Sequence, residues 1–421
     1  MKQPNKELLE RILDPDNMNR AMKRVFANKG APGVDGVTTN ALREWLPEHW
    51  PDFRQALLEG NYMPSPLRRV EIPKASGGVR LLGIPTVIDR VIQQAIAQVL
   101  SPMWDPEFSE SSFGFRPQRS AHGAVKQVKA YINEGRKWAV DIDLSKFFDR
   151  VDHRIVLGRL ARKLFGDTVL RLISRYLRAG VEIDGVVHPT RCGVPQGGPL
   201  SPLLGNIVLD DLDTYLEGKD AKFARYADDF VVLVGSRKAG ERWMANITAY
   251  LERRLKLQVN TKKSQVLRSA QLEYLGFMFR AKRIRVSPAS LREFKYRLKR
   301  LTGRNWFISM EDRLAQLQLY VRGWMNYYGI SEPHSHWQDL AGWLFRRLRL
   351  CYWVMWKVPR TRLRRLRELG ADEHLAKSLT SSSAGPWKAS YLLGLCLSQN
   401  WLMEQGAPHL VLEWERCAPL R

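Results

Sequence analysis

Residues 1–65 carry apolar positions at helical spacing on both sides of "NKGAPGVDGVT", so two helical stretches are expected around a Gly/Pro loop. From Leu67 to about Phe279, short β-branched runs alternate with segments of helical period. "LRRVEIPK" and "GVRLLGIP" predict strands around a Ser-Gly-Gly turn. "VIDRVIQQAIAQVLSPMW" and "PLSPLLGNIVLDDLDTYL" predict helices. "KWAVDIDLS" predicts a strand feeding a helix, and "QLEYLGFMF" a strand. "RYADDFVVLV" predicts strand, tight turn at Ala227–Asp228, strand. Beyond about residue 285 the period is helical, as in "REFKYRLKRL" and "MEDRLAQLQLYVRGWMNYYG". "GADEHLAKSLTSSSAGPW" predicts a linker ahead of a small final unit. No apolar run approaches the ~20 residues of a membrane span.

Charge changes the picture. The 421 residues hold 67 Lys and Arg against 43 Asp and Glu, a formal net charge of +24. Such an excess favours a polyanionic partner, nucleic acid first. Residues 281–370 alone hold 20 Lys and Arg against 6 Asp and Glu, more than half of the net charge. Nine of the 14 tryptophans follow residue 300. The four cysteines are scattered, with no CxxC, which points to reduced thiols in an intracellular protein and against a zinc site.

Two adjacent acids in so basic a chain read either as a solvated turn or as a pair that holds a cation. Successive strand residues face opposite ways, so Asp228 and Asp229 converge only where the period breaks, as at a hairpin tip. Their like charges repel there unless compensated. "WAVDIDLSKFFDRVDH" adds a third carboxylate on a neighbouring strand, Asp141 or Asp143, which alternation alone does not separate. Three oxygen-rich side chains suit Mg²⁺. Two such ions about 4 Å apart stabilise the attacking and leaving oxygens of a phosphoryl displacement. Asp210–Asp211, on a helix surface, serves as an internal control and is assigned no chemistry. Lys74 and Arg80 flank a turn from which both can reach a polyphosphate. "CGVPQGGPLSP", around Gln196, is rich enough in glycine for backbone to approach a ligand closely.

"KGAPGVDGVT", "IPKASGGVRLLGIPTVIDRVIQQAI", "SSFGFRPQRSAHGAV", "DIDLSKFFDRVDH", "GVPQGGPLSPLLGNIVLDDLD", "RYADDFVVL", "NTKKSQV" and "EYLGFMF" follow one another in this order over residues 30–279. Together they resemble a bacterial group II intron-encoded reverse transcriptase. "LQLYVRGWMNYYGI" resembles the maturase region that follows in that family. The resemblance implies an α/β (α+β) right-hand polymerase. Residues 1–65 would be an N-terminal extension, 66–285 fingers and palm with an antiparallel palm sheet, 286–368 an α-helical thumb and maturase (X) domain, and 369–421 a small helical DNA-binding domain. It places the metal carboxylates on Asp143, Asp228 and Asp229, with two Mg²⁺ ions as cofactor. It implies a triphosphate pair in Lys74 and Arg80, a steric gate against ribonucleotides in Phe148, and a nucleotide pocket at Gln196 and Gly197. Tyr226 would lie beside the primer end, Lys262 behind the site, and Leu275 and Gly276 in the primer grip.

The same resemblance implies dNTPs, an RNA template with a DNA or RNA primer, intron RNA and target DNA as partners, in the bacterial cytoplasm. Arg297, Arg300, Arg346, Arg347 and Arg349 are expected to meet nucleic-acid backbone. Trp324, Tyr327 and Tyr328 are expected to pack in a core more readily than to stack on bases. "RTRLRRLRELG" is expected to be a backbone-binding helix. The absence of a Cys/His-rich nuclease segment resembles endonuclease-lacking, group IIC-like members. Two other expectations remain: a domesticated reverse transcriptase in DNA repair or phage defence, and an RNA-binding splicing chaperone with a vestigial polymerase.

Overall fold

In the first part of the chain short β-branched and aromatic runs alternate with helices, and in the second a 3.6-residue period prevails. The computed structural model describes residues 4–73, 78–164, 168–280, 283–332, 336–381, 385–417 and 419. Two compact units follow one another, Met1–Ser269 and Ala270–Arg421.

The first unit carries β1 (Leu67–Pro73), β2 (Val79–Ile84), β3 (Trp138–Ile142), β4 (Val181–Ile183), β5 (Val186–His188), β6 (Lys222–Tyr226), β7 (Asp229–Val234) and β8 (Gln265–Arg268). They form two sheets, ordered β2-β1-β4-β5 and β6-β7-β3-β8. The second is antiparallel throughout. Val140, Ile142, Phe230 and Val232 are fully buried on one of its faces. They join a cluster that includes Ile92, Ile96 and Leu100 of the helix Val87–Trp104 and Leu209 and Leu212 of the helix Ser201–Glu217. Leu9, Ile12, Ala21 and Val25, from the two N-terminal helices Pro4–Ile12 and Pro15–Ala27, belong to the same core. Each fully buried Leu or Ile contributes about 1.5–3 kcal/mol over leaving it exposed. The N-terminal helices are therefore fixed by burial, despite their polar composition.

The second unit opens with β9 (Glu273–Tyr274), β10 (Phe277–Arg280) and β11 (Arg283–Val286), in the order β11-β10-β9. "QLEYLGFMF" is thus not one strand. The chain turns at Leu275 (φ +51°) and Gly276 (φ +79°), and β9 pairs antiparallel with β10. Helices follow, and two cores form among them. Phe294, Leu317, Val321, Phe345 and Trp414 belong to one, and Trp353, Leu366, Leu379 and Leu393 to the other. The expected linker is corrected here as well. Glu373–Ser381 and Pro386–Leu392 are helices, because Ala376 and Leu379, three residues apart, are both buried. Among the described residues, no helix is long and apolar enough to cross a membrane.

Candidate active site

The predicted hairpin is present. Tyr226 pairs with Asp229, so Ala227 and Asp228 are the two turn residues between β6 and β7. Ala227 sits at φ +58°, a region that costs an L-residue about 1–2 kcal/mol. The tip is held by buried polar contacts. Arg225, wholly buried, donates Nε to both Asp213 oxygens (2.8 and 3.0 Å) and Nη2 to Asp213 Oδ2 (2.5 Å). Its Nη1 donates to the Ala227 carbonyl (3.0 Å) and to Asn206 Oδ1 (2.9 Å), and its Nη2 also to Ser112 Oγ (2.8 Å). Asn206 in turn donates to the Gly114 carbonyl (2.8 Å). Any Cβ at Gly114 would overlap the Ala227 backbone.

Register brings the acids together. Asp141 pairs with Val231, and Val231 shares a face with Asp229 two residues away. Continued by one step, the register sets Asp143 opposite Asp229. Asp141, Asp143 and Asp229 therefore share one face, with Asp228 at the turn beside them. The Asp229 carboxyl is raised to about 7, by crowding of protein around it and by the charges of Asp141, Asp228 and Asp143. The residue nonetheless keeps an exposed surface, so this is a cleft that solvent enters. That exposure limits desolvation, whereas like-charge repulsion follows from the register.

Asp143 is positioned by a loop of the same unit. Asn260 Nδ2 donates to Asp143 Oδ2 (2.8 Å), and the Asp143 N–H donates to Ser264 Oγ (3.0 Å). The Lys263 ammonium stands 3.9 Å from Asp143 Oδ1. Its neighbour Lys262 donates its backbone N–H to Asn260 Oδ1 (3.3 Å) and has an exposed side chain. Among the described residues, no three His, Cys, Asp or Glu side chains are gathered closely enough to be a ready ligand set. The donor chemistry still fits a hard cation: the shared face offers carboxylates alone, and one of them is driven toward protonation by the others.

A hollow of about 270 Å³ in this unit is lined by Phe148 and Gln196, with Arg69, Lys146, Thr190 and Cys192 among its other walls. The Gly83 N–H donates to the Gln196 carbonyl (3.1 Å), and that of Val194 to the Phe148 carbonyl (2.6 Å). These two bonds lace the glycine-rich loop to β2 and to the chain after β3. Gly197 (φ +134°) has no room for a side chain: a Cβ would lie 2.9 Å from the Gly83 oxygen. His153, buried, bonds the Gly193 carbonyl through Nε2 (2.8 Å). Lys74 lies outside the described residues. Arg80 is placed by backbone alone, opposite Ile72 in the β1–β2 ladder.

The remaining predicted contacts fall in the second unit. The Leu275 carbonyl accepts from Tyr327 Oη (3.0 Å), and the Gly276 carbonyl from the Ser287 N–H (2.9 Å). Arg297 and Arg300 are exposed on the helix Pro288–Leu301. Arg346, Arg347 and Arg349 each donate to a backbone carbonyl, those of Trp387, Thr302 and Leu397 respectively. Trp324 stacks on Phe294 (4.1 Å between centroids) and on Tyr328 (4.4 Å), as a packing residue does. In the helix Pro359–Glu368, Arg364 and Arg365 pair with Glu368, and Arg367 with Glu373. Asp210 and Asp211 are half-buried, not on a helix surface. Arg159 engages Asp211, while burial and neighbouring acids raise Asp210 to about 6.

Residue types alone did not single out Arg225, Asp213, Asn206, Ser112, Asn260 or Lys263. All six nonetheless lie within the quoted stretches: Ser112 in "SSFGFRPQRSAHGAV", Asn206 and Asp213 in "GVPQGGPLSPLLGNIVLDDLD", Arg225 in "RYADDFVVL", and Asn260 and Lys263 in "NTKKSQV".

Residues 72–279 match the reverse transcriptase (RNA-dependent DNA polymerase) family, and residues 291–370 the group II intron maturase-specific domain. Protein YkfC of Escherichia coli (strain K12) is 35% identical over 300 residues, 62% of this chain and 78% of that protein. The group II intron-encoded protein LtrA of Lactococcus lactis subsp. cremoris is 29% identical over 372 residues, 72% of this chain. The chain spans 61% of the length of LtrA. Among solved structures, a chain of a partial Cas6-RT-Cas1–Cas2 complex is 26% identical, covering 58% of this chain and 42% of that one with a TM-score of 0.38. With the polymerase match over the mixed α/β unit and the maturase match over the helices after it, the chain belongs to the family of group II intron-encoded reverse transcriptases and maturases.

Proposed function

We propose that the chain copies RNA into DNA, adding dNTPs to the 3′ end of a DNA or RNA primer, and that it also binds its own intron RNA to assist splicing and insertion into target DNA. The observation that carries the polymerase reading is the shared face of Asp141, Asp143 and Asp229 beside the Asp228 turn, in the same unit as the hollow of Phe148 and Gln196. Asp143, Asp228 and Asp229 would hold two Mg²⁺ ions, whose chemistry is to stabilise the attacking and leaving oxygens of the displacement. The protein's own part is orientation. Arg225 and Gly114 fix the turn that presents Asp228, and Asn260 and Ser264 fix Asp143. Phe148 and Gln196 line one hollow; Phe148 would act there as a gate against the 2′-hydroxyl, and Gln196 and Gly197 would border the nucleotide. Lys74 and Arg80 would meet the triphosphate, Tyr226, Leu275 and Gly276 the primer, and Lys262 the rear of the site.

On this reading residues 66–285 act as fingers and palm, 286–368 as thumb and maturase region, and 369–421 as a DNA-binding segment. The full chain is tested on an annealed RNA template and DNA primer with dNTPs and Mg²⁺, and separately on a precursor RNA containing its intron. Extension to full-length cDNA and faster splicing are the expected results. Splicing assistance without extension would overturn the polymerase reading.

A further inference from the structure

The second unit holds a hollow of about 450 Å³ that the polymerase chemistry does not use. Lys299, Gly303, Arg304, Asn305, Arg347 and Trp387 line it. Three cations face it, and among the described lining residues there is no carboxylate. Arg347 is fixed there. Its Nε donates to Thr302 Oγ1 (2.6 Å), and its Nη2 to the carbonyls of Lys299 and Thr302 (both 3.0 Å). These groups end the helix Pro288–Leu301, so the guanidinium caps that helix, and its Nη1 takes no part in these bonds. Lys299 and Arg304 are exposed and have no acidic partner among the described residues. Burial, and then the nearby Arg304 charge, lower the Arg347 pKa. Like charges held together with nothing negative between them are destabilising, and a bound anion relieves that.

An aromatic wall stands beside the cations. Trp387 is 40% exposed. The Arg346 guanidinium lies 4.1 Å from its ring centroid and donates Nη2 to its carbonyl (2.9 Å). The ring is thus held in place while much of its surface stays open. Guanidinium forks suit phosphate oxygens, and an open indole suits the face of any base.

We propose that this hollow binds one unpaired nucleotide of single-stranded RNA, with the phosphate among Lys299, Arg304 and Arg347 and the base against Trp387. The choice of RNA rests on the maturase reading above; the pocket chemistry does not.

The full chain is titrated with a short fluorescein-labelled single-stranded RNA, its DNA counterpart and an RNA duplex, at several salt concentrations. The double variant Lys299→Ala/Arg304→Ala is expected to bind the single-stranded RNA about tenfold more weakly, with its salt slope reduced by about 0.7, one phosphate contact on a single strand. Trp387→Ala is expected to lose at least about fivefold with the slope unchanged. Arg347 is left intact because it caps a helix. A control pair on the other unit, Lys238→Ala/Arg242→Ala, both exposed on the helix Arg237–Tyr250, is expected to stay near the wild type. Equal losses in both pairs, an undiminished Trp387→Ala, or a loss confined to the duplex would overturn the site. A loss confined to DNA would overturn the choice of RNA. Saturating primer extension separates this from the polymerase: a wild type that binds but does not extend removes the polymerase reading and leaves the site standing.

Discussion

Arg225, wholly buried, has its guanidinium shared among the buried Asp213, Asn206 and Ser112 and the turn carbonyl of Ala227. Removing one member of a buried ion pair strands the other, at a cost of about 3–5 kcal/mol. Arg225→Ala is therefore expected to lower the unfolding free energy by that amount in urea titrations and to abolish extension. Arg225→Lys is expected to recover part of the stability but little activity, because a point charge cannot replace the fork that positions the turn. Recovery of full activity by lysine would mean that the network is structural only. Phe148 lines the hollow beside Gln196. Phe148→Val is expected to raise ribonucleotide incorporation at least tenfold relative to dNTPs, read from single-nucleotide extension; unchanged discrimination would remove the gate. Cys192, a free and exposed thiol on the same wall, provides a chemical probe. N-Ethylmaleimide is expected to inhibit the wild type, dNTPs to protect it, and Cys192→Ser to resist.

At the scale of elements, the glycine-rich loop is tied down by His153, whose imidazole bonds the Gly193 carbonyl. Burial lowers the His153 pKa below its usual value. Between pH 6.5 and that lower value the unfolded chain takes up a proton that the folded one refuses, so stability falls as pH falls through this window. His153→Gln keeps a donor without the titration and is expected to flatten the loss of Tm between pH 7 and pH 5.5. An identical slope in the variant would assign the loss to other groups. The β6–β7 hairpin was legible in the sequence because two acids can converge only where the strand period breaks. The palm strand β3 was legible because apolar residues alternate with Asp141 and Asp143. Other elements were hidden. Asp213 lies on the same helix as the more conspicuous Asp210–Asp211 pair, and nothing in a periodicity shows which acid faces the sheet. The break at Leu275 is made by a leucine at positive φ, which its residue type does not announce. The helix Glu373–Ser381 was masked by its Ser- and Thr-rich surroundings, although Ala376 and Leu379 bury one stripe of it.

Over the whole molecule the charge is uneven: residues 281–370 hold 20 Lys and Arg, and the acids of the cleft lie in the other unit. Several of those arginines are committed internally, to Glu368, Glu373, Trp353 or the Leu397 carbonyl. Summing the sequence charge therefore overstates the number of phosphate contacts. The logarithm of RNA affinity is expected to fall linearly with that of salt concentration, by about 0.7 per phosphate held, with a slope well short of one contact for each of the 20 cations. A slope near that limit would contradict the internal pairing. In the proposed function the turn carboxylates of β6–β7 carry RNA-templated nucleotidyl transfer. The most direct measurement is primer extension on an RNA template with dNTPs and Mg²⁺, with the wild type beside Asp228→Ala and the control Asp210→Asn. Extension is expected from the wild type and from Asp210→Asn, and none from a folded, RNA-binding Asp228→Ala. Extension that survives in Asp228→Ala, or fails in a folded wild type, would contradict the proposed function.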